Sequence, residues 1–332
     1  MDIKNRMTLL SKLAEEMQNK NDELDSVIEK AYQHNKWFTP ENMRLAVKNI
    51  REQFLDEQKL KQWISNYRFM EKNPKRVGIV MAGNIPLVGF HDFLCVFISG
   101  NSVMVKLSSK DDVLFPFFLN KMIGLDSEIA DLVSASEILK GMDAVIATGS
   151  NNSSRHFEYY FGKYPHIIRK NRNAVAVLQG NESKEEIGEL GFDIFSYFGL
   201  GCRNVSKLMV PMDYDFNFFF QSLEKFSKLN EHNKYKNNYD YNRAIHLLNK
   251  TPHLANDFLI LKEDVQVASP VAQLNYEFYA DENDLNEKLK RDEEIIQCIV
   301  GKGFIPFGKS QSPELWDYAD NVDTMKFLSE LN

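Results

Sequence analysis

The sequence contains the apolar run Arg76-Val-Gly-Ile-Val-Met-Ala82, which is followed at once by the turn-forming run Gly83-Asn84-Ile85-Pro86. A continuous run rich in β-branched residues is typical of a strand buried on both faces of a parallel sheet. Residues 87–99 then have the length of a helix, and Gly100-Asn101 stops it before a second apolar run over 102–107. Strand, turn, helix and strand form a βαβ unit of about thirty residues. Because such crossovers are right-handed, this unit predicts a parallel α/β sheet.

The same alternation continues along the chain. Strands are predicted at 143–147, 167–168, 174–178, 207–211, 258–261 and 273–280, and helices over 113–122, from about 152, and over 185–197. The residues before 74 show only helical patterns, with Thr39 as cap and Pro40 as first residue of one helix and a further helix to about Met70. We therefore predict an N-terminal helical segment (1–73), a cofactor-binding α/β domain (74–178), a catalytic α/β domain (179–310) and a C-terminal tail helix (311–332).

Residues 230–243 are polar and rich in tyrosine. They predict either a surface loop or an aromatic rim over a substrate channel, and loop composition favours the first.

Composition and charge limit the classes of function. Of the 332 residues, 43% are hydrophobic and 26% are charged, as in an ordinary globular protein. The net charge of -7 argues against a nucleic-acid partner, because binding to a phosphate backbone depends on clustered Lys and Arg. The first residues resemble an amphipathic helix rather than a signal peptide, since charges interrupt each apolar run.

The chain has three cysteines, Cys95, Cys202 and Cys298, which lie far apart. A disulfide framework or a metal site would have a different spacing, so we expect no metal and a cytoplasmic location. The most apolar segment, 77–100, carries polar and charged residues at its middle, so we expect a buried strand, turn and helix there and no membrane span.

A second informative segment is Phe198-Gly199-Leu200-Gly201-Cys202, which continues as Arg203-Asn204-Val205-Ser206-Lys207. The two glycines let the backbone approach a neighbour closely, because they have no Cβ. Positive charge on Arg203 and Lys207 would favour the thiolate of Cys202. The segment fits a nucleophilic cysteine on a tight loop. It also fits a small buried residue at a turn, and by itself it favours that second interpretation.

A third segment, Thr148-Gly149-Ser150, ends a predicted strand and begins a predicted helix. Backbone N–H groups at such a turn can hold a phosphate. Turns of this composition are common, so this segment alone is weak evidence for a site.

These motifs, taken with Gly100-Asn101-Ser102-Val103-Met104-Val105-Lys106, occur in an order that resembles the aldehyde dehydrogenase superfamily. That superfamily has an Asn-x-Pro turn, a Gly-Asn-x-Val-x-x-Lys strand, a Thr-Gly-Ser turn and a Gly-x-Cys loop. The run from Gly201 to Lys207 and the run Ala174-Val-Ala-Val-Leu178 resemble its acyl-CoA reductase (LuxC-like) branch. The resemblance covers about 74–307.

The resemblance implies an aldehyde-dehydrogenase-like fold with two parallel-sheet α/β domains. It implies that Cys202 is the nucleophile and that the Asn84 amide and the Cys202 N–H stabilise the oxyanion. It places Lys106 and Ser108, together with Thr148, Gly149 and Ser150, at a nicotinamide cofactor. Judged from the residues alone, Asn84 is a good turn former and Lys106 a charged strand end.

Departures from the superfamily pattern are also informative. The Glu-Leu-Gly-Gly stretch of the hydrolytic enzymes, whose Glu activates water, is replaced by residues 166–173, which contain no carboxylate. The Glu-x-Phe-Gly-Pro motif reads Gln266-Val-Ala-Ser-Pro270, and the Pro expected after Lys106 is absent. Without a water-activating base at the expected position, a thioester on Cys202 would persist. The dinucleotide motif G-x-G-x-x-G is also absent from the sequence.

Taken together, the sequence predicts NADPH-dependent reduction of an acyl-CoA, in this branch a fatty acyl-CoA, to the aldehyde through a thioester on Cys202, with coenzyme A as the leaving group. NADH is the alternative reductant, and an acylated donor protein is the alternative acyl source. The superfamily suggests a homodimer. Two alternatives stay open: an NAD(P)-dependent aldehyde or semialdehyde dehydrogenase, and a catalytically silent nucleotide-binding scaffold of the same fold.

Overall fold

The computed structural model describes residues 1–17, 22–69 and 74–331. The chain divides into two compact units, one made of residues 1–171 and 313–332 and the other of residues 172–312. The predicted helical segment and residues 313–332 of the predicted C-terminal tail belong to the first unit, whereas residues 311 and 312 belong to the second. The predicted boundary between the α/β domains lies after residue 178, but the strand over 173–177 pairs with strands of the second unit.

The first unit contains a parallel sheet in the order β3-β2-β1-β4-β5. Its strands are β1 (Arg76–Val80), β2 (Ser102–Lys106), β3 (Val133–Ala135), β4 (Ala144–Thr148) and β5 (His166–Arg169). The central strand β1 pairs in parallel with β2 on one side and with β4 on the other. The predicted βαβ unit is therefore confirmed, with α5 (Phe90–Ile98) as its crossover helix.

Helices surround this sheet: α1 (Ile3–Glu16), α2 (Asp22–His34), α3 (Pro40–Asn49), α4 (Glu57–Ile64), α6 (Leu114–Leu125), α7 (Ile129–Leu132), α8 (Asn151–Phe161) and α13 (Thr324–Ser329). Thr39 caps α3 by accepting a hydrogen bond from the Asn42 N–H, and Pro40 is its first residue, as predicted. The N-terminal helices and α5 share one apolar core, in which Leu10, Leu13 and Cys95 are fully buried. The predicted helix end near Met70 lies outside the described residues, and α4 ends at Ile64.

The buried Arg6 of α1 joins the N-terminal helices to the βαβ unit. Its guanidinium donates hydrogen bonds to the carbonyl groups of Phe97 (2.5 Å), Asn101 (2.7 Å) and Gly100 (3.1 Å) at the end of α5. Carbonyl groups at a helix C-terminus lack the usual intrahelical donors, and the helix dipole is negative at this end. Burial lowers the pKa of Arg6 to about 10, so the group remains charged at neutral pH.

The C-terminal residues pack on α4 and α5. The Tyr318 hydroxyl accepts a hydrogen bond from Trp63 Nε1 (2.7 Å) and lies 2.8 Å from the Tyr67 hydroxyl. Tyr67 in turn donates to Asp323, the residue that caps α13.

The second unit contains a sheet in the order β11-β6-β7-β10-β9-β8, in which only the pair β8–β9 is antiparallel among the described residues. Its strands are β6 (Asn173–Val177), β7 (Val205–Pro211), β8 (Leu254–Ala255), β9 (Ile260–Glu263), β10 (Gln273–Tyr279) and β11 (Ile296–Gly301). Its helices are α9 (Lys184–Phe195), α10 (Phe216–Ser222), α11 (Asn233–Leu248) and α12 (Glu282–Arg291).

The prediction of a loop over 230–243 is wrong, because most of this range forms the first part of α11. Tyr235 and Tyr239 are spaced four residues apart and both are 1% exposed, so they form the buried face of this helix. Their hydroxyl groups donate to the carbonyl groups of Phe258 and Asn256. These two tyrosines therefore mark the face of α11 that packs against the rest of the unit.

Among the described residues, no helix combines the length and the apolar character needed to cross a membrane.

Candidate active site

The predicted cofactor residues and Asn84 lie at one edge of the sheet in the first unit. Lys106 ends β2, the turn with Asn84 follows β1, and Thr148 ends β4. These three strands are neighbours and parallel, so their carboxyl ends share an edge. The chain runs from β1 outward through β2 to β3 and then returns to β4 on the other side of β1. Such a reversal leaves a crevice outside the carboxyl ends, where ligands of open α/β sheets bind.

The turn after β1 touches the turn after β2. A Cβ on Gly83 would lie 2.4 Å from Ser108 Oγ and 2.6 Å from Ser108 Cβ. Cβ atoms essentially never come this close to another atom, so any larger residue at position 83 would have to displace Ser108. The close approach places exposed Asn84 beside half-buried Ser108.

Asp111 supports the same turn, although no sequence motif marks it as a site residue. Its carboxylate accepts a hydrogen bond of 2.7 Å from the N–H of Leu87, a residue with a positive φ of 57°. Asp111 is 8% exposed. Burial raises its pKa to about 7; the hydrogen bond from Leu87 opposes the rise, and the nearby charge of Asp112 adds to it. A buried carboxyl group with a pKa near neutrality therefore supports the Asn84 turn.

The Lys106 side chain extends from the end of β2 and donates a hydrogen bond of 2.5 Å to the carbonyl group of Glu137. An ammonium group has three N–H donors, so this bond leaves capacity for a ligand. Lys110, four residues further on, is exposed.

The Thr148-Gly149-Ser150 turn joins β4 to α8, as predicted. Ser150 caps α8 by accepting a hydrogen bond from the Ser153 N–H at 3.2 Å. A Cβ on Gly149 would lie 2.8 Å from the Phe157 ring, so the glycine lets strand and helix pack closely. The N–H groups at this end of α8 carry the positive end of the helix dipole, which suits a phosphate.

Cys202 lies in the second unit, between α9 and β7, and its side chain is half-buried. The chain leaves α9 through three consecutive residues with positive φ: Tyr197 (53°), Phe198 (58°) and Gly199 (76°). Left-handed backbone costs a non-glycine residue about 1–2 kcal/mol, so surrounding contacts must hold this reversal. Tyr197 and Phe198 are buried, and the Phe198 ring stacks on the His232 ring with 4.3 Å between the ring centroids.

Asn204 closes the cysteine loop. Its backbone N–H donates to the Gly201 carbonyl group at 3.0 Å, and its side-chain oxygen accepts from the Gly201 N–H at 2.8 Å. Cys202 is therefore held inside a short turn that is closed in both directions.

Neighbouring side chains fix the segment over 308–310 next to this loop. Asp193 of α9 is fully buried and accepts hydrogen bonds from the N–H groups of Gly308 (2.6 Å) and Ser310 (2.9 Å). Burial raises the pKa of Asp193, and these hydrogen bonds oppose the rise. Arg203 Nε donates to the Ser310 carbonyl group at 2.6 Å. The guanidinium group of Arg203 is thus part of the loop framework.

The prediction that Lys207 charges the surroundings of Cys202 is wrong. Lys207 is fully buried, and its ammonium group binds Glu277 (2.5 Å) and Asp292 (3.3 Å), so its charge is compensated within the strand layer. Burial alone would raise the pKa of Glu277, but hydrogen bonds from Arg291 and Lys207 hold it below its usual value.

Side chains of β7 and β10 also hold the segment that contains Gln266. Lys207 Nζ donates to the Val265 carbonyl group at 2.7 Å, and Ser206 Oγ donates to that of Val267 at 2.7 Å. Asn275 Nδ2 donates to the carbonyl groups of Gln266 (2.9 Å) and Ala268 (3.1 Å). Every carbonyl group over 265–268 is therefore bound by a side chain. Two of these side chains, Ser206 and Lys207, belong to the same sequence motif as Cys202.

A narrow cleft borders the cysteine loop within the second unit. It is lined by apolar groups of Phe198, Tyr235, Leu259 and Leu274, among others. Its interior of about 20 Å³ is close to the space that one water molecule needs. An acyl chain could enter only if these side chains moved apart.

The range 166–173 contains a buried arginine in place of the water-activating carboxylate of the hydrolytic enzymes. Arg169 ends β5 with 2% exposure and pairs with Asp92 of α5. It also donates to Thr324 Oγ1 at 2.8 Å. A guanidinium group stays protonated and has no acceptor, so it cannot serve as a general base.

Comparison with protein families gives the decisive observation. The family model of acyl-CoA reductase (LuxC) matches residues 2–169, just over half of the chain. The chain belongs to this family. It is an oxidoreductase that acts on the aldehyde or acyl group, as the sequence motifs predict. The match includes the N-terminal helices, which the motif-based resemblance did not cover.

Solved structures agree on the fold. The NAD-dependent aldehyde dehydrogenase from Sinorhizobium meliloti has 10% identity and a TM-score of 0.65, with 91% of this chain and 70% of that chain covered. An NAD+ complex of aldehyde dehydrogenase from Bacillus cereus has 12% identity and a TM-score of 0.63, with 91% and 72% covered. An NADP-dependent enzyme from E. coli has 12% identity and a TM-score of 0.64, with 91% and 73% covered. The predicted aldehyde-dehydrogenase-like fold is confirmed.

No curated protein sequence gives a significant match. Within the described ranges, no cluster of three or more His, Cys, Asp or Glu side chains could hold a metal ion.

Proposed function

We propose that the protein reduces an acyl-CoA to the aldehyde, with NADPH as reductant and Cys202 as the covalent nucleophile. The observation that carries this proposal is the cysteine loop, a tight closed turn in a chain of the acyl-CoA reductase family. Fatty acyl-CoA is the substrate class that the family suggests, and an acylated donor protein would present the same thioester chemistry.

In the first half-reaction, the Cys202 thiolate attacks the thioester carbonyl carbon. A carbon–sulfur bond to Cys202 forms, the bond to the coenzyme A sulfur breaks, and coenzyme A leaves as a thiolate that takes up a proton. The negative charge that develops on the carbonyl oxygen needs hydrogen-bond donors. We assign this role to the Asn84 side chain and to the Cys202 N–H.

In the second half-reaction, the thioester on Cys202 is reduced. A nicotinamide held by the residues of the first unit would supply the hydride, which would add two electrons to the acyl carbon. Protonation of the oxygen gives a thiohemiacetal, and loss of the Cys202 thiolate and of the hydroxyl proton releases the aldehyde. The chain offers no carboxylate at 166–173 to activate water, so the thioester survives until it is reduced.

The residues of the first unit fit a dinucleotide. The ammonium group of Lys106 would bind the ribose, with half-buried Ser108 on the adjoining turn. Thr148, Gly149 and Ser150, with the first N–H groups of α8, would lie at the pyrophosphate. We propose NADPH over NADH because the family branch suggests it, and exposed Lys110, four residues after Lys106, would be available to a 2′-phosphate.

The test is the loss of nicotinamide absorbance with a panel of short and long acyl-CoAs, measured with NADPH and with NADH. Wild type is compared with Cys202→Ala and with Cys298→Ala, a control at a second half-buried cysteine of the same unit. We expect turnover in wild type and Cys298→Ala and none in Cys202→Ala. Unchanged turnover in Cys202→Ala would contradict the proposal.

Two further outcomes point to the alternatives. Rapid hydrolysis of the acyl-enzyme without reduction would indicate an oxidative aldehyde dehydrogenase. Tight NADPH binding without turnover, with acyl-CoAs and acylated carrier proteins alike, would indicate a catalytically silent scaffold.

A further inference from the structure

The Asn204 side chain contacts both the cysteine loop and the end of the helix that precedes it. Asn204 is 1% exposed. Its oxygen accepts from the Gly201 N–H, and its Nδ2 donates to the carbonyl groups of Ser196 (2.8 Å), Asp193 (3.0 Å) and Ile194 (3.3 Å). One amide group thus binds residues on both sides of the left-handed reversal.

The partners of Nδ2 are groups that the helix itself cannot satisfy. Residues 193–196 form the last turn and cap of α9, and carbonyl groups at a helix end have no intrahelical donor. An unpaired buried carbonyl group costs about 1–3 kcal/mol. Asn204 removes this penalty and at the same time fixes the point from which the chain turns towards Cys202.

The side-chain oxygen of Asn204 has a separate role, which is to hold the cysteine loop. The Gly201 N–H would otherwise need another acceptor, and its bond to Asn204 makes the turn over 201–204 rigid. The direction of the Cys202 side chain and N–H is then set relative to α9. Asparagine suits this place because donor and acceptor are needed together, whereas aspartate would bring an oxygen against three carbonyl groups.

We propose that Asn204 is a positioning residue for the reaction, acting through Cys202. This inference rests on the proposed role of Cys202 as nucleophile. Nucleophilic attack requires near-ideal alignment, and a displacement of about 1 Å can cost about 10²-fold in rate.

The test compares wild type with Asn204→Ala and with the control Asn256→Ala. The Asn256 side chain accepts hydrogen bonds from the Phe258 and Leu259 N–H groups, so the control also removes a backbone-binding amide from the second unit. Two kinds of measurement are made. The first gives kcat and the KM for NADPH with an acyl-CoA. The second gives the rates at which iodoacetamide alkylates Cys202 and Cys298, resolved by peptide mass spectrometry.

In Asn204→Ala we expect kcat to fall about 10²-fold. The KM for NADPH should stay near the wild-type value, because the proposed cofactor contacts belong to the first unit. The rate of Cys202 alkylation relative to that of Cys298 should rise as the loop opens. Asn256→Ala should keep both the wild-type kcat and the wild-type ratio.

An unchanged kcat in Asn204→Ala would overturn the inference. So would a fall in kcat with both cysteines becoming reactive in parallel, since that pattern indicates general loosening. If Asn204→Ala does not fold, hydrogen exchange of the wild-type enzyme is measured instead. Peptides containing Gly201 must then exchange as slowly as those of β7. Fast exchange would show that Asn204 does not hold the cysteine loop. Failure of the proposed function shows separately, as turnover in Cys202→Ala.

Discussion

The carboxyl group of Asp111 makes the stability of the first unit depend on pH. The perturbation that tests this is Asp111→Asn, which keeps an oxygen acceptor for the Leu87 N–H but removes the ionisation. In the folded chain the pKa of Asp111 is about 7, whereas an unfolded aspartate has a pKa of about 3.9.

The direction of the effect follows from proton binding. Below pH 4 the folded and the unfolded state both hold the proton, so Asp111 does not reduce the free energy of unfolding. Between about pH 4 and pH 7 the folded state still binds the proton while the unfolded state has lost it, so the free energy of unfolding falls as pH rises. The pKa difference of roughly 3 units, at 1.36 kcal/mol each, corresponds to about 4 kcal/mol. Above pH 7 the loss is complete and constant.

The assay is urea unfolding between pH 4 and pH 8, followed by tryptophan fluorescence. Trp37, Trp63 and Trp316 are the three tryptophans of the chain, and all belong to the first unit, so the signal reports on that unit. We expect the stability of Asp111→Asn relative to wild type to rise by about 4 kcal/mol between pH 4 and pH 8. The control Asp112→Asn, at an exposed neighbour, should show only a small change. Parallel pH profiles of wild type and Asp111→Asn would refute the reasoning.

Two predictions concern other contacts of the first unit. Gly83→Ala should lower kcat/KM at least tenfold, or roughly 1.4 kcal/mol, because its Cβ would lie 2.4 Å from Ser108 Oγ and displace the Asn84 turn. Adding Ser108→Gly should restore part of the lost kcat/KM. Full activity of Gly83→Ala alone would contradict the packing argument. Arg6→Met should lower the free energy of unfolding by about 3 kcal/mol in urea titrations, because three carbonyl groups at the end of α5 lose a charged donor. A decrease of less than about 1 kcal/mol would mean that water replaces the guanidinium group.

The sequence was sufficient for the βαβ unit because its signals are local. The apolar run of β1, the turn at Gly83 and the stop at Gly100 act within a few residues of one another. The Thr39 cap of α3 is predictable for the same reason. By contrast, β3 and β11 were not predicted: β3 is only three residues long, and Gln297 interrupts the apolar residues of β11. Their pairing depends on neighbouring strands that are distant in sequence.

The supporting residues of the candidate site could not be predicted, because their partners are far away in the chain. Asp111 is one of two adjacent aspartates, and only the fold shows that it is buried beneath Leu87. Lys207 reads as a free charge in sequence, yet Glu277 and Asp292 enclose it. Asn204 did carry a signal, as a polar residue between a glycine turn and a buried strand. What it binds is known only from the structure.

The hydrogen bond between Trp63 and Tyr318 joins residues 255 positions apart, and it has a consequence for the order in which the chain acquires its structure. During synthesis the N-terminal domain of a protein usually folds first. Here the second unit is continuous and its last residue, 312, emerges before the residues that cover α4 and α5. Because residues 313–332 follow the whole of the second unit in the chain, the first unit can complete its packing only after residues 172–312 have been synthesised.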